Sequence, residues 1–314
     1  MRTPPPPRNL AASIHRRLLN GARERGDDPQ FVLQRYAAER FLYRLGVSPH
    51  RERLVLKGAT LFALWGGSAY RPTRDLDFTG YGTSDTEAIL ATLRDICSQP
   101  VPDDGMVFEA GGLRAEPIRE EVDYGGVRVV FDARLGNAHV RMQVDIGFGN
   151  AVAPPPADRD YPTLLGGPSP RIRAYPQEAV VAEKTHAMVL LGERNSRLKD
   201  FYDLFVLAGQ FPFDGADLAH SIATTFQRRR TQIDGNTPAA LAPRFYADEH
   251  RGQQWRAYLT RNSLPGAPAG FEVVGEQLLR FLHPPWRALA EGRPFLATWA
   301  PSGPWAPVSM ESSP

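Results

Sequence analysis

Between residues 115 and 148 the chain alternates apolar and polar side chains with a period of two. Val140, Met142, Val144, Ile146 and Phe148 occupy every second position, and Arg141, Gln143 and Asp145 fill the gaps. That period belongs to a strand with one buried face. Gly125-Gly126 and Gly136-Asn137 are turn signals, and they divide the region into expected strands 115–124, 127–134 and 138–147. After Tyr175 the spacing becomes helical, with helices expected at 177–191, 198–209, 215–228, 237–247, 250–262 and 270–291. Residues 151–170 hold six prolines and two glycines and read as a linker or surface loop. The chain therefore reads as a mixed α/β half with antiparallel strands, followed by an all-helical half.

The N-terminal half adds helices to this sheet. A first helix is expected at 9–24. Asp28-Pro29 is an N-cap followed by proline at the first helical position. Leu33, Ala37, Phe41 and Leu45 then form one apolar face, and Gly46 ends that helix. Residues 53–57 form an expected strand that runs into Gly58 and a helix over 59–65. Gly66-Gly67-Ser68 breaks this helix, and 73–79 is the next strand. Ser84-Asp-Thr-Glu87 reads as a capping box for a helix reaching about Ser98. The expected domains are a tail and helix (1–30), an α/β core (31–160), a helical domain (161–302) and a disordered tail (303–314).

Composition bounds the function. Thirty-seven basic and 35 acidic residues leave a formal charge of +2, which neither requires nor excludes a nucleic-acid partner. The single cysteine, Cys97, excludes an intrachain disulfide and a cysteine-held zinc. The first eight residues, Met-Arg-Thr-Pro-Pro-Pro-Pro-Arg, lack the apolar core of a secretory signal. No segment has the roughly 18 apolar residues of a membrane span. The expectation is a cytoplasmic monomer without a membrane partner.

Asp75-Leu76-Asp77 carries the sharpest chemistry. Residues two apart on a strand share a face, so these carboxylates repel unless a cation lies between them, and Mg²⁺ suits oxygen ligands. A solvated strand face is the alternative. Asp145 lies on the polar side of its own strand. It either completes a two-metal carboxylate set or faces solvent. Leu56-Lys57-Gly58-Ala59-Thr60 is a strand running into glycine and then a helix, a junction at which backbone can approach a phosphate.

Taken together, Lys57-Gly58-Ala59-Thr60-Leu61, Arg74-Asp75-Leu76-Asp77-Phe78, Val144-Asp145-Ile146, Glu183-Lys184 and Arg197-Leu-Lys199-Asp200-Phe-Tyr-Asp203-Leu204 resemble the AbiEii/AbiGii toxin family, which includes the MenT enzymes. The resemblance covers roughly residues 31–210 in order, and the C-terminal hundred residues carry no matching motif. It implies a polymerase-β-like core, with a mixed antiparallel sheet, that transfers a nucleoside monophosphate from an NTP, with Mg²⁺, to an acceptor hydroxyl. That acceptor is the 3′ end of tRNA in characterised members, and such a protein is the toxin of a pair with a cognate antitoxin. Many members have a second glycine or a serine where this chain has Ala59. The implied site comprises metal ligands Asp75, Asp77 and Asp145, further catalytic residues Lys184 and Asp203, and donor contacts from Lys57, Gly58, Ala59, Thr60, Arg74, Lys184 and Lys199.

Lys184 shares a helical face with Val180, Ala187, Met188 and Leu191. It is either a snorkelling lysine or an ammonium for the β- and γ-phosphates. Lys199 and Asp203 are spaced for a surface pair, yet Asp203 shares a stripe with Asp200, Leu204 and Leu207. The functional aspartate is expected to be Asp203, with Asp200 the alternative. Arg71, Arg74, Arg194, Arg197 and the run Arg228–Arg230 are candidate RNA contacts, and the run also suits a solvated helix end. The histidines show no metal spacing. Two rivals remain: a transferase acting on a small molecule such as an antibiotic, and an inactive RNA- or partner-binding module.

Overall fold

The computed structural model describes residues 9–66, 71, 73–118, 125–149, 152–264 and 266–308. The proline tail, Gly67-Ser68, the end of the expected strand 115–124 and residues 309–314 lie outside them. The chain divides into two compact units. One comprises Met1–Gly66, Pro72–Gly149 and Ala157–Ala174, and the other Gly67–Arg71, Asn150–Pro156 and Tyr175–Pro314.

In the first unit, α1 (Leu10–Arg25) and α2 (Pro29–Val47) precede β1 (Leu54–Lys57), the one-turn α3 (Leu61–Leu64) and β2 (Asp75–Gly80). Then come α4 (Thr86–Cys97), β3 (Met106–Phe108), β4 (Arg114–Ile118), β5 (Gly126–Leu135), β6 (Ala138–Phe148), β7 (Ala157–Asp160) and β8 (Arg171–Ala174). Asp28 caps α2, its carboxylate accepting from the Gln30 amide at 2.8 Å. The cap of α4 is Asp85, accepting from Ala88 N, one residue beyond the expected Ser84. The sheet order is β3-β5-β6-β2-β1-β8-β7, with β4 also on β5. It is mixed: β2–β6 and β1–β8 pair parallel, and the other pairs antiparallel.

One face of this sheet is apolar. Leu76, Phe78, Val129, Phe131, Val140, Val144 and Ile146 are buried. Phe41 of α2 packs its ring 5.9 Å from Phe108 and 5.8 Å from Phe131. Arg44 is buried in α2 but satisfied, donating to both oxygens of Asp104. Gln34, on the same helix, donates to the carbonyls of Arg74 and Arg141. It thereby ties the start of β2 to β6.

The proline-rich segment differs from the loop expectation. Residues 157–160 form a strand, and β8 follows it to add both to the sheet beside β1. Neither strand announces itself, because Ala-Asp-Arg-Asp and Arg-Ile-Arg-Ala are short and mostly polar. Their pairing supplies what their side chains do not.

The second unit contains α5 (Gln177–Leu191), α6 (Leu198–Gln210), β9 (Phe213–Asp214), α7 (Gly215–Arg228), α8 (Pro243–Tyr246), α9 (Glu249–Arg261), α10 (Phe271–Ala290), β10 (Ala297–Trp299) and β11 (Trp305–Pro307). Its aromatic core joins Phe201 to Phe245, Tyr246 and Phe271, and Trp255 to Phe271. Two expectations are corrected here. The helix expected at 237–247 is a 3-10 turn, Ala239–Leu241, followed by short α8, because Pro238 and Pro243 interrupt it. The unit is also not purely helical, since β11-β10-β9 form a small sheet. Trp299 and Trp305 anchor it by donating to the Ala208 and Phe281 carbonyls. Part of the expected disordered tail is therefore strand.

Candidate active site

The polar face of the first unit carries a row of charge that crosses five strands. Lys57 on β1 pairs in register with Asp77 on β2, and Asp77 with Asp145 on β6. Asp145 pairs with Arg128 on β5, and Arg128 with Glu116 on β4. Adjacent strands lie about 4.8 Å apart. The order across the sheet is thus Lys57, Asp77, Asp145, Arg128, Glu116. The row holds two neighbouring carboxylates with a cation on each side. Asp75 stands two residues from Asp77 on the same face, in register with Gln143.

The glycine turn meets this row directly. Gly58 has φ +74, and a Cβ built there would lie 2.1 Å from Asp77 Oδ2. A side chain at this position would displace the carboxylate as well as strain the backbone. The expected helix 59–65 is only one turn long, so the dipole argument for phosphate binding has little support, and the turn's backbone amides are what remain. Ala59 and Thr60 are buried, and the Thr60 hydroxyl donates to the Asp75 carbonyl at 3.3 Å, fastening the turn to β2. Arg74 is exposed beside Asp75.

Asp145 accepts from two neighbouring side chains. Arg128 donates through Nε to Oδ1 at 2.9 Å and through Nη2 to Oδ2 at 2.7 Å, and Gln143 Nε2 lies 3.3 Å from Oδ2. The paired donors raise the Arg128 guanidinium above its ordinary pKa, with Asp145 as the largest cause and charge from Asp75 and Glu116 adding to it. Among the described residues, no group of three or more His, Cys, Asp or Glu side chains is placed to hold a metal. The backbone aligns the three aspartates, and the Asp145 side chain is engaged with Arg128. Arg128 escaped the sequence reading. Its signal was its position as the polar residue between Val127 and Val129, but nothing local named its partner.

A second polar cluster lies within the other unit. Lys184 on α5 places Nζ 2.7 Å from Asp200 Oδ1 and 2.8 Å from Asp203 Oδ2. Arg71 holds both oxygens of Asp203, at 3.0 and 3.2 Å, and Arg197 lies 3.0 Å from Asp200 Oδ2. Both aspartates are almost fully buried. Burial works against the Lys184 charge, yet Asp200 and Asp203 outweigh it and raise the pKa. Burial likewise opposes the Asp200 charge, and Lys184 and Arg197 hold its carboxyl below the ordinary value. Lys184 is therefore an ion-paired lysine rather than a snorkelling one. Asp200 and Asp203 share it, so burial does not choose between them. Lys199 is exposed. Arg229, within the basic run, donates toward His186 Nδ1 at 3.1 Å while the His186 Nε2 side faces Thr231 Oγ1 at 2.8 Å. Burial and Arg229 push His186 down to about 4, which leaves a neutral, structural histidine.

A mixed sheet with paired carboxylates on its polar face, next to a tight glycine turn, is the arrangement that the resemblance to nucleotidyltransferases implies. The family model for the nucleotidyl transferase AbiEii toxins of type IV toxin–antitoxin systems matches residues 40–289, and the chain belongs to that family. The match reaches well into the C-terminal helices that carried no recognisable motif. Two solved structures from Helicobacter pylori are similar. JHP933 shares 15% identity, with 84% of this chain and 91% of that one covered and a TM-score of 0.45. A protein provisionally described as a nucleotidyltransferase shares 14%, with 84% and 94% covered and a TM-score of 0.45. No curated protein matches the sequence. Among the described residues no helix is long and apolar enough to cross a membrane.

Proposed function

We propose that this AbiEii-family nucleotidyltransferase moves a nucleoside monophosphate from an NTP to the 3′ end of tRNA, with Mg²⁺ held by Asp75 and Asp77, and that a cognate antitoxin restrains it. The observation that supports the reading most is the placement of Asp75 and Asp77 on one face against the Gly58 turn. An all-oxygen donor set of this kind fits Mg²⁺. When bound, the ion would neutralise phosphate charge and ease deprotonation of the attacking hydroxyl.

The chain's own residues supply the positioning. Gly58 lacks a side chain, so the turn's backbone can approach the donor's phosphates, and Lys57 adds positive charge in register with Asp77. Asp145 is the acceptor-side carboxylate. In the second unit, Lys184 is the functional cation, oriented by Asp200 and Asp203. Exposed Arg74, Arg194 and Lys199 suit nucleic-acid phosphates. Alignment and charge neutralisation account for most of the catalysis in such transfers.

The test is label transfer from each α-labelled NTP, in Mg²⁺, to total tRNA. One nucleotide should label the tRNA band, and Asp77→Asn should reduce that labelling by about 10²–10³-fold or more. Labelling of a small-molecule acceptor instead would replace tRNA in this reading. Full activity in Asp77→Asn would remove the aspartate assignment.

A further inference from the structure

The row of charge leaves Asp145 in an unexpected state for a nucleotidyltransferase carboxylate. Both its oxygens accept from one guanidinium, and a glutamine amide lies against one of them. On the far side of the guanidinium, Glu116 stands in register with Arg128 on β4 and adds negative charge. Arg128 therefore stands between two acidic positions of the row and is bonded to Asp145, with its side chain 40% exposed and Asp145's 16% exposed. A cation approaching Asp145 would have to share its oxygens with the bound guanidinium or displace it.

We infer that Arg128 is the resident counter-charge of Asp145, standing where a second cation would otherwise bind, so that the protein alone takes a single divalent cation, at Asp75 and Asp77. This rests on the metal assignment proposed above and extends it. Arg128 is a positioning residue: it acts on the site's cation count and on the orientation of Asp145. Its planar paired donors match a carboxylate in a way that a lysine cannot reproduce. The charge it provides costs no ion binding and is removable, because an exposed arginine rotates freely once another partner, such as a phosphate, competes for it.

The test is a Mn²⁺ titration of the full-length protein, with free ion followed by electron paramagnetic resonance, and needs no activity. Wild type should bind one ion, lost in Asp77→Asn. Arg128→Gln should gain a second ion, or bind about tenfold or more tightly, and the double variant Arg128→Gln/Asp145→Asn should abolish that gain. Arg128→Lys keeps a charge while losing the paired geometry, and should show a smaller gain. Circular dichroism melts confirm that each variant is folded.

If wild type binds through Asp77 and neither Arg128 variant changes count or affinity, the inference is wrong and the proposed function stands. If Asp77→Asn binds like wild type in both arginine backgrounds, the metal assignment fails and takes the inference with it.

Discussion

The two polar clusters use the same side chains to opposite ends. In the first unit, Arg128 meets Asp145 on an open sheet face, with the arginine 40% exposed. In the second, Lys184 meets Asp200 and Asp203 with its side chain 13% exposed and the carboxylates at 3% and 1%. An exposed pair is worth little, because water competes for both partners. A buried one is costly to break, because either partner left alone is a bare charge in a poor solvent. The sheet row is thus free to exchange its counter-ions for a ligand, while the helical cluster holds its groups in fixed orientation.

Breaking each cluster separately should expose this difference. Lys184→Met removes the ammonium shared by two buried aspartates, and should cost about 3–5 kcal/mol in chemical denaturation. Arg128→Gln should cost only about 0.2–1 kcal/mol, the range for a cross-strand pair. Equal losses would mean that the sheet row is as closed to exchange as the buried cluster.

A glycine pair sharpens the comparison within the first unit. Gly58 and Gly66 both have positive φ, but only Gly58 would place a Cβ against Asp77, and Gly66 has nothing within 4 Å. Alanine at either position should lose roughly 1–2 kcal/mol for the left-handed backbone. Only Gly58→Ala should also lose Mn²⁺ binding and nucleotide transfer. Loss of transfer in both variants would point to strain rather than to the contact with Asp77.

Acid should give the smallest but most selective effect. Burial opposes the Asp200 charge, and Lys184 and Arg197 overcome it, so the folded carboxyl is held below its unfolded value. Its contribution to stability is complete above the ordinary carboxylate range. That contribution is lost as pH falls through the lowered folded value. Denaturation profiles should therefore fall more steeply in acid for wild type than for Lys184→Met. Parallel profiles would assign the acid sensitivity to other carboxylates.

Much of the fold was legible along the chain. Asp28-Pro29 began α2 where expected, α5 matched 177–191 throughout, and the alternation from Val140 to Phe148 put Asp145 on the polar face. The misses have two causes. Strands β7, β8, β10 and β11 are four residues or shorter, too brief for periodicity to register, and they exist because a neighbouring strand supplies hydrogen bonds. Pro238 and Pro243 divided a segment whose apolar spacing suggested one helix.

The site separates along the same line. A period of two is a local property, so the sequence alone placed Asp75 and Asp77 together on one face and marked Gly58 as a junction between a strand and a helix. Which strand lies next to which, and in what register, depends on backbone pairing between distant segments, as with Asp77 and Asp145, 68 positions apart. Tertiary structure therefore decided that Asp77 and Asp145 are neighbours, that Arg128 rather than solvent meets Asp145, and that Lys184 joins Asp200, Asp203 and Arg71. Charge pairing acts through space over a few ångströms, and only folding determines which residues come that close.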